Sequence, residues 1–216
     1  GSSLAAATGA PILLVNPSTE NSVYSYILKT LKPGADVYIL GGSDVVSSRF
    51  ENLVSDKFNA VRLSGKTRID TNLAVINKVV ELAGTQDIML CTAYGYADSL
   101  SASATGKIIM LVGDTLTPSQ KDWLVQNAQS KIYAIGGSDV LKETVCTETK
   151  DICGKTARRI AGNTRYDTSQ MIAEKFFPES DSMILAVGDN FPDGLSRSSI
   201  ALETNSPLVL ATNERS

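Results

Sequence analysis

Several residue types that could bind a charged or polar ligand recur at matching positions along this sequence. They are the arginines Arg68 and Arg165, the glycine pairs Gly41-Gly42 and Gly136-Gly137, the aspartates Asp98 and Asp193, and the aromatic residues Tyr94, Tyr96, Tyr166 and Phe191. Guanidinium groups suit bidentate contact with phosphate or carboxylate groups. Helix N-termini that follow glycine turns present backbone N–H groups to anions. Aromatic rings could stack against sugar faces. Together, these residue types could contact a ligand that carries both charged groups and sugar rings.

The arginines and glycines also have a purely structural explanation. The glycine pairs fit tight turns that need a positive φ, and this is the explanation that we favour for them. Arg68 with Asp70, and Arg165 with Asp167, fit local ion pairs that fix the start of a helix. For the arginines, the ligand and ion-pair explanations both stay open.

The acidic residues predict helix caps more strongly than they predict catalysis. Asp98 and Asp193 each precede a helical segment, where a carboxylate can accept N–H groups of the first turn. No second carboxylate recurs at the spacing of a glycosidase pair. The chain contains no histidine, which is the commonest general base and zinc ligand. Histidine-dependent hydrolases, zinc amidases and cysteine proteases are therefore excluded, and we predict no catalytic residue, metal or cofactor.

The net charge of −3 gives no overall field that would attract nucleic acid, and no apolar stretch reaches the length of a membrane span. Of the three cysteines, Cys91 lies in an apolar run and is expected to be buried. Cys146 and Cys153 could form a disulfide, as in an oxidising compartment, or could remain as two thiols. Their spacing does not decide between these alternatives.

The residues with binding chemistry belong to an internal repeat of about 95 residues. Segment 37–45, Val-Tyr-Ile-Leu-Gly-Gly-Ser-Asp-Val, returns at 132–140 as Ile-Tyr-Ala-Ile-Gly-Gly-Ser-Asp-Val. Segment 62–71, Arg-Leu-Ser-Gly-Lys-Thr-Arg-Ile-Asp-Thr, returns at 159–168 as Arg-Ile-Ala-Gly-Asn-Thr-Arg-Tyr-Asp-Thr. We predict the back half of a first copy over 1–58, a complete second copy over 59–153 and the front half of a third over 154–216.

The elements that position these residues alternate between helix and strand. In the second copy, Asp70-Thr71 is predicted to cap a helix that Gly84 ends. Strands are predicted over 87–92, 107–112 and 131–135, and helices over 98–104, from Thr117-Pro118, and from Ser138-Asp139. Short apolar strands between amphipathic helices are typical of a parallel sheet covered on both faces. The fold class is α/β.

Strand residues that we expect in the core are Ile12, Leu13, Leu14, Ile109, Met110, Leu208 and Val209. The two terminal half-copies are complementary. We therefore predict that they complete one unit by pairing, which would place residues 10–15 and 183–188 in one sheet and give two compact units.

Four motifs in a fixed order resemble the cell-wall-binding repeat type 2 family. They are Arg-x-Ser/Ala-Gly-x-x-Arg-x-Asp-Thr, Phe-Pro-Asp-Gly-Leu-Ser at 191–196, Pro-Ile-Leu-Leu or Pro-Leu-Val-Leu at 11–14 and 207–210, and the Gly-Gly-Ser turn. The resemblance implies tandem toprim-like units around a pseudo-threefold axis. It also implies an extracellular protein of a Gram-positive cell surface, held non-covalently on an anionic wall polysaccharide or teichoic-acid-like polymer.

Non-catalytic anchoring is accordingly the predicted function, and neighbouring repeats and the wall polymer are the predicted partners. Several weak sites on one body give avidity on a repeating polymer. One alternative is a magnesium-dependent toprim-like hydrolase using Asp44, Asp98, Asp139 and Asp193, although no Asp-x-Asp pair follows any strand. The other alternative is a purely structural surface-layer module that binds no polymer.

Overall fold

Short parallel strands and helices alternate along the chain, as the sequence predicts. The computed structural model describes residues 1–127, 129–188 and 198–212. The chain divides into a smaller unit, Leu13–Val75, and a larger unit made of Gly1–Ile12 and Ile76–Ser216. The predicted fold class, an α/β fold of repeated units with short parallel strands flanked by helices, is confirmed.

The smaller unit is built around a two-stranded parallel sheet. Its elements are α2 (Glu20–Thr30), β1 (Asp36–Leu40), α3 (Ser48–Ser55), β2 (Asn59–Leu63) and the start of α4 (Arg68–Ala83). Strands β1 and β2 pair in parallel, with Asp36 opposite Asn59 and Leu40 opposite Leu63. The buried core residues between the sheet and helices α2 and α3 are Ile27, Ile39, Val46, Phe50, Val54 and Phe58.

The larger unit contains a four-stranded and a two-stranded parallel sheet. Its elements are α1 (Ser2–Thr8), β3 (Ile88–Thr92), α5 (Ala97–Ser103), β4 (Ile108–Val112), α6 (Pro118–Gln126), β5 (Ile132–Ile135), α7 (Glu143–Cys153), β6 (Arg158–Ile160), α8 (Arg165–Phe176), β7 (Ile184–Val187) and β8 (Leu208–Ala211). Residues 198–203 are also helical. The strand order is β4-β3-β5-β6 in one sheet and β7-β8 in the other.

Strand β3 is the buried centre of the four-stranded sheet. Every residue from Ile88 to Thr92 is buried, as expected for a strand covered on both faces. Helix α4 ends at Ala83 and is followed by Gly84 at φ +74°, which confirms the predicted stop. Trp123 and Leu124 on α6 are buried as predicted, whereas Ala128 lies outside the described residues.

Two of the sheets combine strands from consecutive sequence copies. Strand β2 belongs to the second copy and pairs with β1 of the first, and β6 belongs to the third copy and pairs with β5 of the second. The first strand of each copy therefore completes the sheet of the copy before it. The copy boundaries after residues 58 and 153 remain a prediction about the sequence repeat.

The predicted pairing of residues 10–15 with 183–188 is wrong. Residues 11–16 form no strand, and β7 pairs with β8, the third copy's own strand. The expectation that Leu13 and Leu14 are core residues is also wrong, because they are 42% and 45% exposed. Ile12 is only partly buried. Their equivalents in β8, and Ile109 and Met110 in β4, are buried because those strands pair with β7 and β3.

Core burial is confirmed for the remaining predicted strand residues. Ile109, Met110, Leu208 and Val209 are all buried. In each case the strand that carries them is paired in parallel along its length. Burial at these positions therefore follows from strand pairing as well as from apolar character.

A serine hydroxyl makes the same contact at two places in the larger unit. Ser3 Oγ accepts a hydrogen bond from Ile109 N at 3.3 Å and donates to Lys107 O at 2.8 Å. Ser199 Oγ accepts from Ile12 N, also at 3.3 Å. The repeat makes both the serines and the isoleucines equivalent. A helix of one copy thus supplies a hydrogen-bond acceptor to the outward N–H groups of another copy.

All three cysteines are free thiols. Cys91 is buried in β3, as predicted. Cys146 and Cys153 lie on the same helix, α7. Seven residues of α-helix rise about 10 Å, well beyond the Cα separation of a disulfide, which is at most about 7 Å. The helical conformation therefore favours two thiols over the disulfide.

Candidate functional site

The glycine pairs lie at the carboxyl ends of strands β1 and β5. Gly41 and Gly136 have φ values of +115° and +99°, which confirms the predicted need for positive φ at the first glycine of each pair. Gly41 N donates to Leu63 O and Gly136 N to Ile160 O, both at 2.9 Å, so each turn extends the pairing with the neighbouring strand. Gly42 and Gly137 have no positive φ, and an added Cβ at either would meet no atom within 4 Å.

The helices that follow these turns begin later than predicted. Residues 138–140 form a turn, and α7 begins only at Glu143, with Lys142 as its N-cap. In the smaller unit, α3 begins at Ser48, after Ser47 caps it by accepting from Phe50 N. The prediction of a helix from Ser138-Asp139 is therefore wrong, because the turn residues make their own hydrogen bonds before the helix starts.

Arg62 and Arg159, which the sequence did not single out, hold the two glycine turns in place. Arg62 Nη1 donates to Gly41 O, and Arg159 Nη1 donates to Gly136 O, each at 2.7 Å. Arg159 Nη1 also donates to Leu141 O at 3.2 Å. The sequence signal was present, because both residues open the recurring motif Arg-x-Ser/Ala-Gly.

Each of these arginines also carries an ion pair. Arg62 Nη2 lies 2.8 Å from Glu51 Oε2, and Arg159 Nη2 lies 2.7 Å from Glu143 Oε2. The acid is supplied in each case by the helix that follows the glycine turn. The guanidinium group therefore joins a strand, a turn and a helix, which is a structural role.

The recurring Gly-x-x-Arg-x-Asp-Thr segment forms a helix start stabilised by side-chain hydrogen bonds. Thr164 is the N-cap of α8, and its hydroxyl accepts from Asp167 N while Asp167 Oδ2 accepts from Thr164 N. Thr168 Oγ1 accepts from Gly162 N at 3.0 Å. A side chain at Gly162 would overlap the Cβ of Asp167, so glycine is required there.

The same geometry recurs at α4, which corrects the predicted cap. Thr67 and Asp70 exchange the equivalent hydrogen bonds, and Thr71 Oγ1 accepts from Gly65 N. Asp70 and Thr71 were predicted to cap the helix, but Asp70 sits within the first turn and Thr67 caps it. Asp70 and Asp167 each accept a hydrogen bond from a threonine hydroxyl, Thr67 and Thr164 respectively.

Arg68 and Arg165 occupy the first residues of α4 and α8 and are exposed. Arg165 Nη1 donates to Gly188 O at 2.9 Å, at the carboxyl end of β7. Its charge also acts on the carboxyl of Asp98. In the larger unit, the positively charged residue predicted from sequence thus acts electrostatically on a predicted acidic residue.

Asp98 lies in the first turn of α5 but does not cap it. The N-cap is Tyr96, without a side-chain capping bond. The carboxylate instead faces Gly136, where it occupies the space that a side chain would need. Burial raises the pKa of Asp98, and the positive charge of Arg165 opposes part of that shift. Asp98, which the sequence predicted to cap a helix, therefore contacts the turn that follows β5 instead.

The aromatic residues divide into exposed and packed rings. Tyr94 is 71% exposed and Tyr96 36%, and both follow β3. Tyr166 packs against the core cluster formed with Ala186 and Leu208, and its Cε1 would lie 2.7 Å from a Cβ at Gly188. Tyr166 is therefore a packing residue rather than an open stacking surface, which corrects that expectation.

Part of the predicted site falls outside the described residues. Phe191, Asp193 and the rest of segment 189–194 belong to this group. Of the predicted site residues, those that the structure describes in the larger unit near this edge are Asp98, Gly136, Gly137 and Arg165. In the smaller unit, Gly41, Gly42 and Arg68 occupy the equivalent sequence positions.

The described residues also bear on the alternative of metal chemistry. Within 1–127, 129–188 and 198–212, no group of three His, Cys, Asp or Glu side chains is close enough to hold a metal ion. Of the four acids in the magnesium hypothesis, Asp44 and Asp139 are exposed and Asp98 is buried. No helix in this part of the chain has both the length and the apolar character needed to cross a membrane.

The family model described as "Cell wall binding domain 2 (CWB2)" matches residues 1–51, 62–146 and 159–216. Each matched segment falls within one of the three sequence copies. Two relatives come from Bacillus subtilis (strain 168). An "Amidase enhancer" is 24% identical over 98% of this chain and 29% of its own length, and "N-acetylmuramoyl-L-alanine amidase LytC" is 23% identical over 98% of this chain and 42% of its own. The chain spans less than half the length of either relative.

Two solved structures share the fold. "Cwp6 from Clostridium difficile" has a TM-score of 0.82 at 24% identity, covering 98% of this chain and 35% of that one. "Cwp8 from Clostridium difficile" has a TM-score of 0.85 at 25% identity, covering 100% of this chain and 38% of that one. The alternation of short parallel strands and helices is therefore shared along nearly the whole chain.

Proposed function

Because this chain belongs to the cell wall binding domain 2 family, we propose that it anchors a surface protein non-covalently to an anionic glycopolymer of the cell wall. Family membership makes it an extracellular, cell-wall-binding part of its protein. The proposal adds the ligand, a wall polysaccharide or teichoic-acid-like polymer, and the anchoring role.

The observation that carries the proposal is an exposed arginine, Arg165, which offers hydrogen-bond donors to a polymer near the ends of the strands. It is the first residue of α8, and its charge acts on Asp98, whose carboxylate faces Gly136. In open α/β folds, ligands favour the carboxyl ends of the strands. Arg68 occupies the equivalent position at the start of α4 and is also exposed. Copies of a weak site give avidity on a repeating polymer.

We propose that the chain itself is not a catalyst. Among the residues that the structure describes, Asp98 faces a glycine, and the charge that acts on its carboxyl is that of Arg165 rather than that of a second carboxylate, which gives an acid–base pair no support. The relative named as an amidase is matched over 42% of its length. An enzymatic activity of the whole protein, such as that of a wall amidase, would in this proposal reside in a separate domain.

Sedimentation with cell walls tests the proposal against its two alternatives. The full chain should pellet with native walls and stay in solution with walls stripped of their anionic polymers. Equal pelleting with both kinds of wall would contradict polymer binding. A purely structural surface-layer module should self-associate without binding walls, and a magnesium-dependent hydrolase should release wall fragments when Mg²⁺ is added.

A further inference from the structure

We infer that the Asp98–Arg165 pair binds hydroxyl groups of a sugar unit rather than the anionic groups of the polymer. This inference rests on the proposed wall-binding function and refines it at one site. It assigns the anionic groups of the polymer to contacts elsewhere on the chain.

The first support is the state of the Asp98 carboxylate. The residue is 9% exposed, and among the described residues we find no hydrogen-bond donor to its carboxylate oxygens. A buried carboxylate without a donor is costly, since burial disfavours its charged form. The pKa of Asp98 is accordingly raised. A ligand that donates hydrogen bonds would remove this cost.

The second support is the space around the carboxylate. Gly136 has no side chain, so Asp98 can approach its backbone. Next to it, a Cβ on Gly137 would meet no atom within 4 Å. The turn therefore leaves room beside a strong acceptor, and the main-chain position of Gly136 is fixed by Arg159 from the other side.

The third support is the balance of charge. The positive charge of Arg165 and the negative charge of Asp98 act on each other. An anionic group that approached Arg165 would be repelled by Asp98. A hydroxyl group has one donor and two acceptor positions, so neighbouring sugar hydroxyls can donate to Asp98 and accept from Arg165. The pair therefore suits a neutral polyol better than a phosphate.

The site is also composite in sequence. Asp98 and Gly136 belong to the second copy and Arg165 to the third, and helices α5 and α8 that carry the pair pack against each other. Tyr94, 71% exposed, lies in the same β3–α5 connection as Tyr96 and provides an aromatic face. A sugar site of this kind thus forms where two consecutive copies meet.

Removing the charge of Asp98 should change the affinity for the polymer in opposite directions for an anion site and for a hydroxyl site. If Arg165 bound an anion, Asp98→Asn would remove a repelling charge and tighten binding of purified wall polymer. If the pair binds hydroxyls, the same change should weaken binding about tenfold, because a charge-assisted acceptor is replaced by a neutral amide. Asp98→Ala, which removes the acceptor, should bind at least as weakly.

Asp139→Asn is the matched control, because Asp139 is an exposed acid that follows the same glycine turn. It makes the same change in net charge and should leave the affinity unchanged. Unfolding midpoints of all variants would establish that they are folded. Equal or tighter binding by both Asp98 variants would overturn the inference while leaving wall binding intact. Failure of the unaltered chain to bind the polymer would instead contradict the proposed function.

Discussion

The carboxylate of Asp98 occupies the space in which a side chain at Gly136 would begin. The two residues lie on different elements of the second copy, at the start of α5 and after β5. Glycine is therefore needed at position 136 for two reasons: its φ is +99°, and a side chain there would collide with the Asp98 carboxylate. This relationship links the recurring Gly-Gly turn to the recurring aspartate, which the sequence motifs present as separate features.

Replacing Gly136 by alanine should destabilise the chain and weaken wall binding. A non-glycine residue in the left-handed region costs about 1–2 kcal/mol, and the overlap with Asp98 adds to this cost. Chemical denaturation gives the free energy of unfolding, and pelleting gives the affinity. Gly137→Ala is the matched control for stability, because its added Cβ meets nothing and its φ is not positive. Equal stability of the two variants would contradict the packing described for Gly136.

Loss of the Arg159 guanidinium should lower the free energy of unfolding by about 2 kcal/mol, the usual range for hydrogen bonds to a charged group. Arg159→Met keeps the apolar stem but leaves Gly136 O and Leu141 O without their donor. The adjacent Arg158 is exposed, so Arg158→Met should have little effect. Urea unfolding of both variants measures the difference, and similar losses would show that Arg159 does not hold the turn.

Asp98 should make the stability of the chain depend on pH in a defined direction. Its pKa is raised in the folded state by burial, against the opposing charge of Arg165. The folded state therefore binds the proton more tightly than the unfolded state, and stability falls as pH rises from the ordinary aspartate range through the raised pKa. At pH values above the pKa of Asp98 in the folded state, the loss of stability caused by its buried charge no longer changes with pH. The Cys91 thiol, whose own pKa is raised by burial and by Asp98, stays protonated across this window.

Asp98→Asn should remove this fall and make the chain more stable than the original at neutral pH. The free energy of unfolding, measured by denaturant titration from pH 4 to pH 8, tests the prediction. A slope that is unchanged in the variant would assign the pH dependence to other groups. Greater stability combined with weaker polymer binding would identify Asp98 as a residue kept for function at a cost in stability.

The sequence predicted most of the elements because strands such as β3 and β4 are runs of almost entirely apolar residues. Glycine and Thr-Pro signals also placed the end of α4 and the start of α6 correctly. Periodicity could not predict that residues 11–16 form no strand. They are equivalent to β8 in the repeat and similarly apolar, and the two segments differ in that β8 has a paired neighbour. The pairing of β5 with β6, which come from different copies, likewise could not be predicted, because it depends on tertiary contacts.

The candidate site was predicted by residue type but not by role. Asp98 matched the pattern of a helix cap, yet its carboxylate turns to Gly136 because α5 packs over the end of β5. The recurrence of Arg159 was visible in the motif, but its role was overlooked because its partners at the turn are main-chain carbonyls, which side-chain spacing does not reveal. Tyr166 was taken as a stacking ring, although packing against Gly188 fixes it in the core.

The most direct test of wall anchoring is the pelleting of a charge-reversed chain with native cell walls. Arg68→Glu combined with Arg165→Glu alters the two exposed arginines that stand at equivalent helix starts. Arg158→Glu combined with Lys66→Glu is the matched control for net charge, since both residues are exposed and neither begins a helix. We predict that the first variant loses most of its pelleting while the control retains it. Normal pelleting by the Arg68 and Arg165 variant would contradict wall anchoring through these two arginines.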